Sequence, residues 1–322
     1  MKLKLTDNRA YFKPFTHPQF YQRWLEHEQS HWLHTELPFN EDVADWKTKM
    51  SDGEKEFVTQ IFRFFTQGDI DVAEGYTKGY LPYFNLPEVR MMLLGFAARE
   101  ALHVAAYSHL IETLGLPETT YKAFLDYECM KDKHTYIEGF LTGSDKPEDI
   151  AEKIAVFSAF TEGMQLFSSF IMLLNFARQG KMKSMCQIIQ WSIVDETQHA
   201  EGMIDLFRVY VNENKKVWND GLKSKIYTIA ETMVSLEDAF IDNAFATGGV
   251  VGLSADDVKK YIRYITDRRL ISLGLKGIFK VKTNPLPWVA NLINAPGHTN
   301  FFENRSTDYA KGIERDWSSI WA

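Results

Sequence analysis

The sequence has little of what builds a disulfide-stapled or membrane-spanning protein. Two cysteines, Cys129 and Cys186, give neither a disulfide framework nor the close spacing of a zinc site, so a reducing compartment is expected. No Gly/Ser-rich or Pro-rich linker divides the chain, and its 19 glycines and 10 prolines are scattered at what read as helix ends. The longest apolar run near the acidic motifs described below, residues 167–177, is too short and interrupted to span a bilayer. Met1-Lys2-Leu3-Lys4-Leu5 lacks a signal peptide's apolar core. There is no basic excess either, and a formal charge of -7 argues against a phosphate-tracking, nucleic-acid-binding surface. Alternating apolar and polar stretches are few, which leaves little from which to build sheets. The expectation is an all-α cytoplasmic protein with no nucleic-acid or membrane partner.

What is present is a repeated motif. Arg99-Glu100-Ala101-Leu102-His103-Val104-Ala105-Ala106-Tyr107 places a carboxylate, an imidazole and a phenol three and four residues apart, offsets that share one face of a helix. Asp195-Glu196-Thr197-Gln198-His199 repeats the Glu-x-x-His spacing. Such a pair points a hard oxygen and a borderline nitrogen at one spot, which suits iron or manganese better than a thiolate-loving ion. Bundles that hold two metals take Glu-x-x-His from two helices and one carboxylate from each of two others. Asp69 lies 31 residues before Glu100 and Glu162 lies 34 before Glu196, room in each case for most of two helices and a turn. On spacing alone, Asp71 and Glu74 rival Asp69.

Around these motifs the expected helices run over 51–79, opened by a Ser51-Asp52-Gly53-Glu54 capping box, and over 88–114, stopped by Gly115 and Pro117. Gly180, Lys181 and Lys183 read as a turn, and 218–246 and 254–273 as completing helices. Glu237 and Asp238 have no partner motif that would make them ligands, and His109 reads as a surface or packing histidine. Residues 10–50 carry Tyr11, Phe12, Phe15, Phe20, Tyr21, Trp24, Trp32 and Trp46, the density of an arm packed over a bundle. Leu166, Phe167 and Phe170 are candidates to line a dry pocket, or are ordinary core. From Asn284 the prolines at 285, 287 and 296 read as the end of helix formation. The chain is thus expected to be one domain over 1–297 with a flexible tail over 298–322.

Asp69, Glu100-x-x-His103 with Tyr107, Glu162 and Glu196-x-x-His199 together resemble the ligand set of the small (beta, radical-generating) subunit of class I ribonucleotide reductase. The resemblance extends from Trp32 to Tyr309 and includes 264–270 and 300–303, which carry no ligand. It implies a ferritin-like helical bundle with additional helices, and two metal ions held by Asp69, Glu100, His103, Glu162, Glu196 and His199, iron being favoured over manganese. It also selects Asp69 over Asp71 and Glu74. Tyr107 would store a radical for reduction of ribonucleotides to deoxyribonucleotides on a separate large subunit. Asp195, bonded to His103, would pass it by way of Trp32, in Trp32-Leu33-His34-Thr35-Glu36, and Tyr309. A C-terminal tail with Trp317 and Trp321 would dock into that large subunit, a tail folded on the chain's own body being the alternative; the chain would be a homodimer, and a flavoprotein activase is a candidate partner. If a virus encodes the chain, the compartment is the host cytoplasm.

The plain alternatives are a buried tryptophan with a satisfied N–H for Trp32, and a hydrogen-bonded core tyrosine for Tyr107. For the whole chain the competing class is a dimetal oxidase or hydroxylase acting on a bound apolar substrate, for which an outgoing chain of redox residues would be superfluous. An iron-storage bundle would predict a shorter chain without a redox tail.

Overall fold

A computed structural model describes residues 3–142, 146–246 and 248–294. The chain divides into two compact units, 1–286 and 287–322. Among the described residues there is no strand, only one isolated bridge between Val250 and Leu253. The first unit contains α1 (Pro18–Gln29), α2 (Asn40–Thr48), α3 (Asp52–Glu74), α4 (Pro87–Thr113), α5 (Glu128–Leu141) and α6 (Pro147–Ile154), then α7 (Leu166–Leu174), α8 (Lys183–Glu213), α9 (Asp220–Ala246) and α10 (Ala255–Ser272). The second contributes α11 (Pro287–Asn294).

α3 and α4 pack against each other, and α8 packs on the segment between α6 and α7. These four rods enclose the acidic motifs. The start of α3 follows the expected capping box: the Glu54 N–H donates to Ser51 Oγ at 3.2 Å while the Ser51 N–H donates to Glu54 Oε2 at 2.8 Å. The start of α8 is fixed from another helix. Ser184 and Met185 donate their free N–H groups to the Asp42 carboxylate of α2 at 3.0 and 2.8 Å, and Met182 donates to Asp45 at 3.0 Å. Those N–H groups have no partner within their own helix, so Asp42 satisfies them and complements the positive end of the helix dipole. The aromatic arm is tied down in the same manner, since Arg9, Thr16 N–H and His17 N–H all donate to Glu88 at the start of α4.

Three local features differ from the sequence expectation. Helix α3 does not run regularly to residue 79 but widens into a π turn at Gly75–Tyr80. A longer π segment, Ala155–Gln165, joins α6 to α7. The apolar run at 167–177 is therefore only the end of a helical rod over Pro147–Gln179, whose most apolar window is long enough to cross a membrane but lies entirely inside the bundle. Pro287 opens α11 instead of preventing it, because proline's fixed φ and missing N–H suit a first helical turn.

Candidate metal centre

Each of the four rods delivers its acidic residues from one face. Asp69 comes from α3, Glu100, His103 and Tyr107 from α4, Glu162 from the π segment, and Glu196 and His199 from α8. The ligand atoms of Asp69, Glu100, His103 and Glu196 lie within 4.8 Å of one another, and so do those of Glu100, Glu162, Glu196 and His199. Two half-sites therefore share Glu100 and Glu196. His103 Nδ1 is 3.1 Å from Glu196 Oε1 and 3.4 Å from Glu100 Oε2. His199 Nδ1 is 2.9 Å from Glu100 Oε1 and 3.4 Å from both Glu162 Oε1 and Glu196 Oε2.

All six side chains are buried. Burial pushes the Glu100 carboxyl up to about 7 and Glu196 to about 8, and lifts Asp69 and Glu162 well above their ordinary range. Four carboxylates packed together out of water cannot all ionise unless cations join them. Burial opposes charge on His103 too, yet the carboxylates of Asp195, Glu100 and Glu196 around it raise its pKa well above the usual value. His199 goes the other way, lowered well below it by burial and by the proximity of His27 and His103. Both oxygens of Asp69, Glu100 and Glu196 and the Nδ1 atoms of His103 and His199 have no hydrogen-bond partner. Buried polar atoms are nearly always paired, so this inward-facing set fits metal ions. Its carboxylate and imidazole composition is that of a two-ion bundle site.

The rivals of Asp69 are otherwise engaged. Asp71 bonds His134 at 2.8 Å and Gln67 at 2.7 Å, and Glu74 pairs with Lys78 at 2.7 Å on the surface. Glu237, away from the centre, forms a buried pair with Lys133 at 2.6 Å, and Asp238 pairs with Arg263. His109 packs against His34 and Phe39.

Around the ligands, Asp195 accepts three hydrogen bonds. Trp32 Nε1 donates at 2.7 Å and His103 Nε2 at 3.1 Å to Oδ2, and Arg99 Nη1 donates to Oδ1 at 2.6 Å. Burial alone would raise this carboxyl, but His103 and Arg99 hold it below the usual carboxylate value. The Trp32 ring stacks 5.8 Å from His103. Tyr107 is fully buried, stacks on Phe65 at 4.1 Å, and donates its hydroxyl hydrogen to Ser192 Oγ at 2.8 Å. Phe170 packs behind Phe65, the phenol's stacking partner, at 5.5 Å, and Phe167 behind Phe170 at 5.6 Å. Tyr309, Trp317 and Trp321 lie outside the described residues.

Sequence reasoning missed four contacts here. Arg99 immediately precedes a ligand but was unassigned, because only the fold brings Asp195 to it. Tyr76 donates to Glu162 Oε1 at 2.7 Å, His27 Nε2 lies 3.1 Å from His199 Nε2, and Ser192 meets Tyr107. Tyr76 stands seven residues after Asp69, two helical turns, which is the one spacing signal available. The π segment also gave no warning. Its wide turn is held by Ser158 and Thr161 hydroxyls donating to the carbonyls of Ile154 and Val156, and by Arg269 Nε donating to Gly163 O at 2.9 Å. Segments of this kind concentrate at functional sites.

Comparison with known proteins extends the geometry. Residues 9–285 match the family described as "Ribonucleotide reductase, small chain". A "probable ribonucleoside-diphosphate reductase small subunit" of Invertebrate iridescent virus 6 is 52% identical, with 99% of each chain covered. Its counterpart from Invertebrate iridescent virus 3 is 53% identical over 98% of this chain and 88% of its own. The crystal structure of the dimanganese(II)-NrdF protein of Streptococcus sanguinis superposes with a TM-score of 0.78 at 21% identity, covering 89% of this chain and all of that one, and shares the ferritin-like helical fold. With two half-sites inside the bundle and this likeness running almost end to end, the chain belongs to the ribonucleotide reductase small-chain family, as the beta subunit of a ribonucleoside-diphosphate reductase.

Proposed function

We propose that this subunit binds two metal ions through Asp69, Glu100, His103, Glu162, Glu196 and His199 and stores a tyrosyl radical on Tyr107. The observation that carries this reading is the convergence of six buried ligand side chains, five of them with unpartnered inward atoms, on one face of α4 with Tyr107 a single turn beyond His103. When bound, the ions would supply the oxidising equivalent that removes an electron from the phenol. Carboxylates and imidazoles accept iron and manganese alike, and iron is the ion we favour.

The chain's own residues do the rest. Phe65 covers one face of the Tyr107 ring and excludes water, and Ser192 holds the hydroxyl through its hydrogen bond. Asp195 fixes His103 with its proton on Nε2, leaving Nδ1 for the metal, and the same carboxylate oxygen holds the Trp32 indole. Ligand, carboxylate and indole thus form a continuous hydrogen-bonded path by which the oxidising equivalent would leave. Tyr309 and the tail would continue it to the large subunit, where ribonucleotides are reduced; the chain's two cysteines are both free and stand far apart in sequence. A homodimer in the cytoplasm, or host cytoplasm for a viral gene product, completes the reading, with a flavoprotein activase as candidate supplier of oxidant.

The test is spin resonance of metal-loaded, oxygen-treated protein. A signal near the free-electron value and a sharp phenoxyl absorption are expected, both lost in Tyr107→Phe. The same radical in Tyr107→Phe would place storage elsewhere. For Tyr309→Phe, loss of nucleotide reduction with the Tyr107 radical intact is expected; full turnover would remove Tyr309 from the path.

A further inference from the structure

The two half-sites are built from different surroundings. Glu100 and Glu196 are shared, so any difference comes from the ligands that are not: Asp69 with His103 on one side, Glu162 with His199 on the other.

Both unshared pairs differ in the same direction. His103 gives its outer N–H to the Asp195 carboxylate at 3.1 Å. An anionic acceptor makes an imidazole a stronger donor to metal. Arg99 on the far oxygen of Asp195 tempers that charge without removing it. His199 has only another imidazole behind it, with Nε2 to Nε2 at 3.1 Å. A metal on Nδ1 leaves the proton on His199 Nε2, so His27 must accept through its own Nε2 and carry its proton on Nδ1, from which the half-exposed Glu28 carboxylate stands 3.7 Å away, beyond hydrogen-bond range. The carboxylates repeat the contrast. Neither oxygen of Asp69 receives a hydrogen bond from the protein, whereas the Tyr76 hydroxyl donates to Glu162 Oε1 at 2.7 Å. That bond draws charge from one of the two oxygens that would face an ion. Tyr76 and His27 are both fully buried, so neither bond exchanges with water.

We infer that Tyr76 and His27 are positioning residues, Tyr76 drawing charge from Glu162 and His27 supporting His199 less strongly than a carboxylate would, and that they leave the Glu162–His199 half-site the weaker of the two, so that the ions load in sequence, Asp69–His103 first. The inference rests on the two-ion reading above. Changes behind metal ligands shift affinity by roughly 10- to 100-fold, so two differences acting together set an expected gap of at least about tenfold.

The experiment is a calorimetric titration of the metal-free full-length chain with Mn(II), with diffraction at the manganese edge on crystals holding one equivalent. Two resolved steps are expected, with the first equivalent concentrated between Asp69 and His103. Tyr76→Phe frees Glu162 and should tighten the second step several-fold while leaving the first in place. His27→Ala should weaken the second step alone, and His27→Gln, whose carbonyl can accept the same N–H, should restore it. Two ions bound with equal affinity, the His199 side filling first, or variants that move both steps equally would overturn the inference while leaving the two-ion reading standing. Fewer than two ions bound would overturn both. If the variants do not fold, the wild-type steps and the one-equivalent crystal decide the matter.

Discussion

Replacing Asp195 by asparagine changes one atom and should disturb the whole centre. The carboxylate accepts from three donors, Trp32, His103 and Arg99, and it is buried. Asparagine keeps one accepting oxygen and turns the other position into an N–H2 donor. If that oxygen stays with Arg99, the indole and imidazole N–H groups both face a donor. Hydrogen bonds to a charged group are worth about 1.5 to 3 kcal/mol each, so two of them set a loss on the order of 3 to 6 kcal/mol. Arg99 keeps carbonyl acceptors on His27 and Ser30 at 3.2 and 3.3 Å, which places the cost near the lower end. Denaturant unfolding of metal-free protein measures it. The same substitution should weaken metal binding by roughly 10- to 100-fold through the less basic His103. A variant that unfolds within 1 kcal/mol of wild type and binds metal within twofold would refute the claim that this carboxylate organises the centre.

Other perturbations follow from the same packing. Glu237→Ala would strand the Lys133 ammonium, which is 2% exposed, and should cost about 3 to 5 kcal/mol in unfolding experiments. Its stacking on Phe240 and Phe64 at 4.2 and 4.7 Å limits the loss, and Glu237→Leu combined with Lys133→Met should be far less harmful than either change alone. Gly163→Ala puts a Cβ 2.8 Å from both Ser158 O and Arg269 Nε, beside Glu162; thermal unfolding should show a loss of about 1 to 3 kcal/mol from the forced shift. Burial pushes the Glu54 carboxyl up, but Lys181 and the Ser51 cap hold it below its ordinary value of 4.5. Its stabilising contribution is then complete above pH 4.5 and is lost as pH falls through the lowered folded value, so a Glu54→Gln variant should show a flatter acid limb in a pH series of denaturation midpoints.

Much of this was legible in the sequence because it is written locally. The two Glu-x-x-His pairs fix a face of α4 and of α8 by helical spacing alone, and Ser51 and Glu54 announce the start of α3. The choice of Asp69 over Asp71 was not local: it depended on the family resemblance, and the fold shows Asp71 facing His134 instead. Arg99, Tyr76, His27 and Ser192 escaped notice because each is an unremarkable residue until a distant helix arrives. The π segment that carries Glu162 escaped for a related reason, since its turn is held by Arg269 from α10, more than a hundred residues on. Proline at 287 misled because its meaning depends on its position in a turn.

The central claim is that the six side chains hold two ions. Diffraction at the absorption edge of the metal, on crystals of the full chain saturated with iron or manganese, tests it most directly. Two anomalous peaks per chain are predicted, one among Asp69, Glu100, His103 and Glu196 and the other among Glu100, Glu162, Glu196 and His199. A single peak, or peaks outside this cluster, would contradict it.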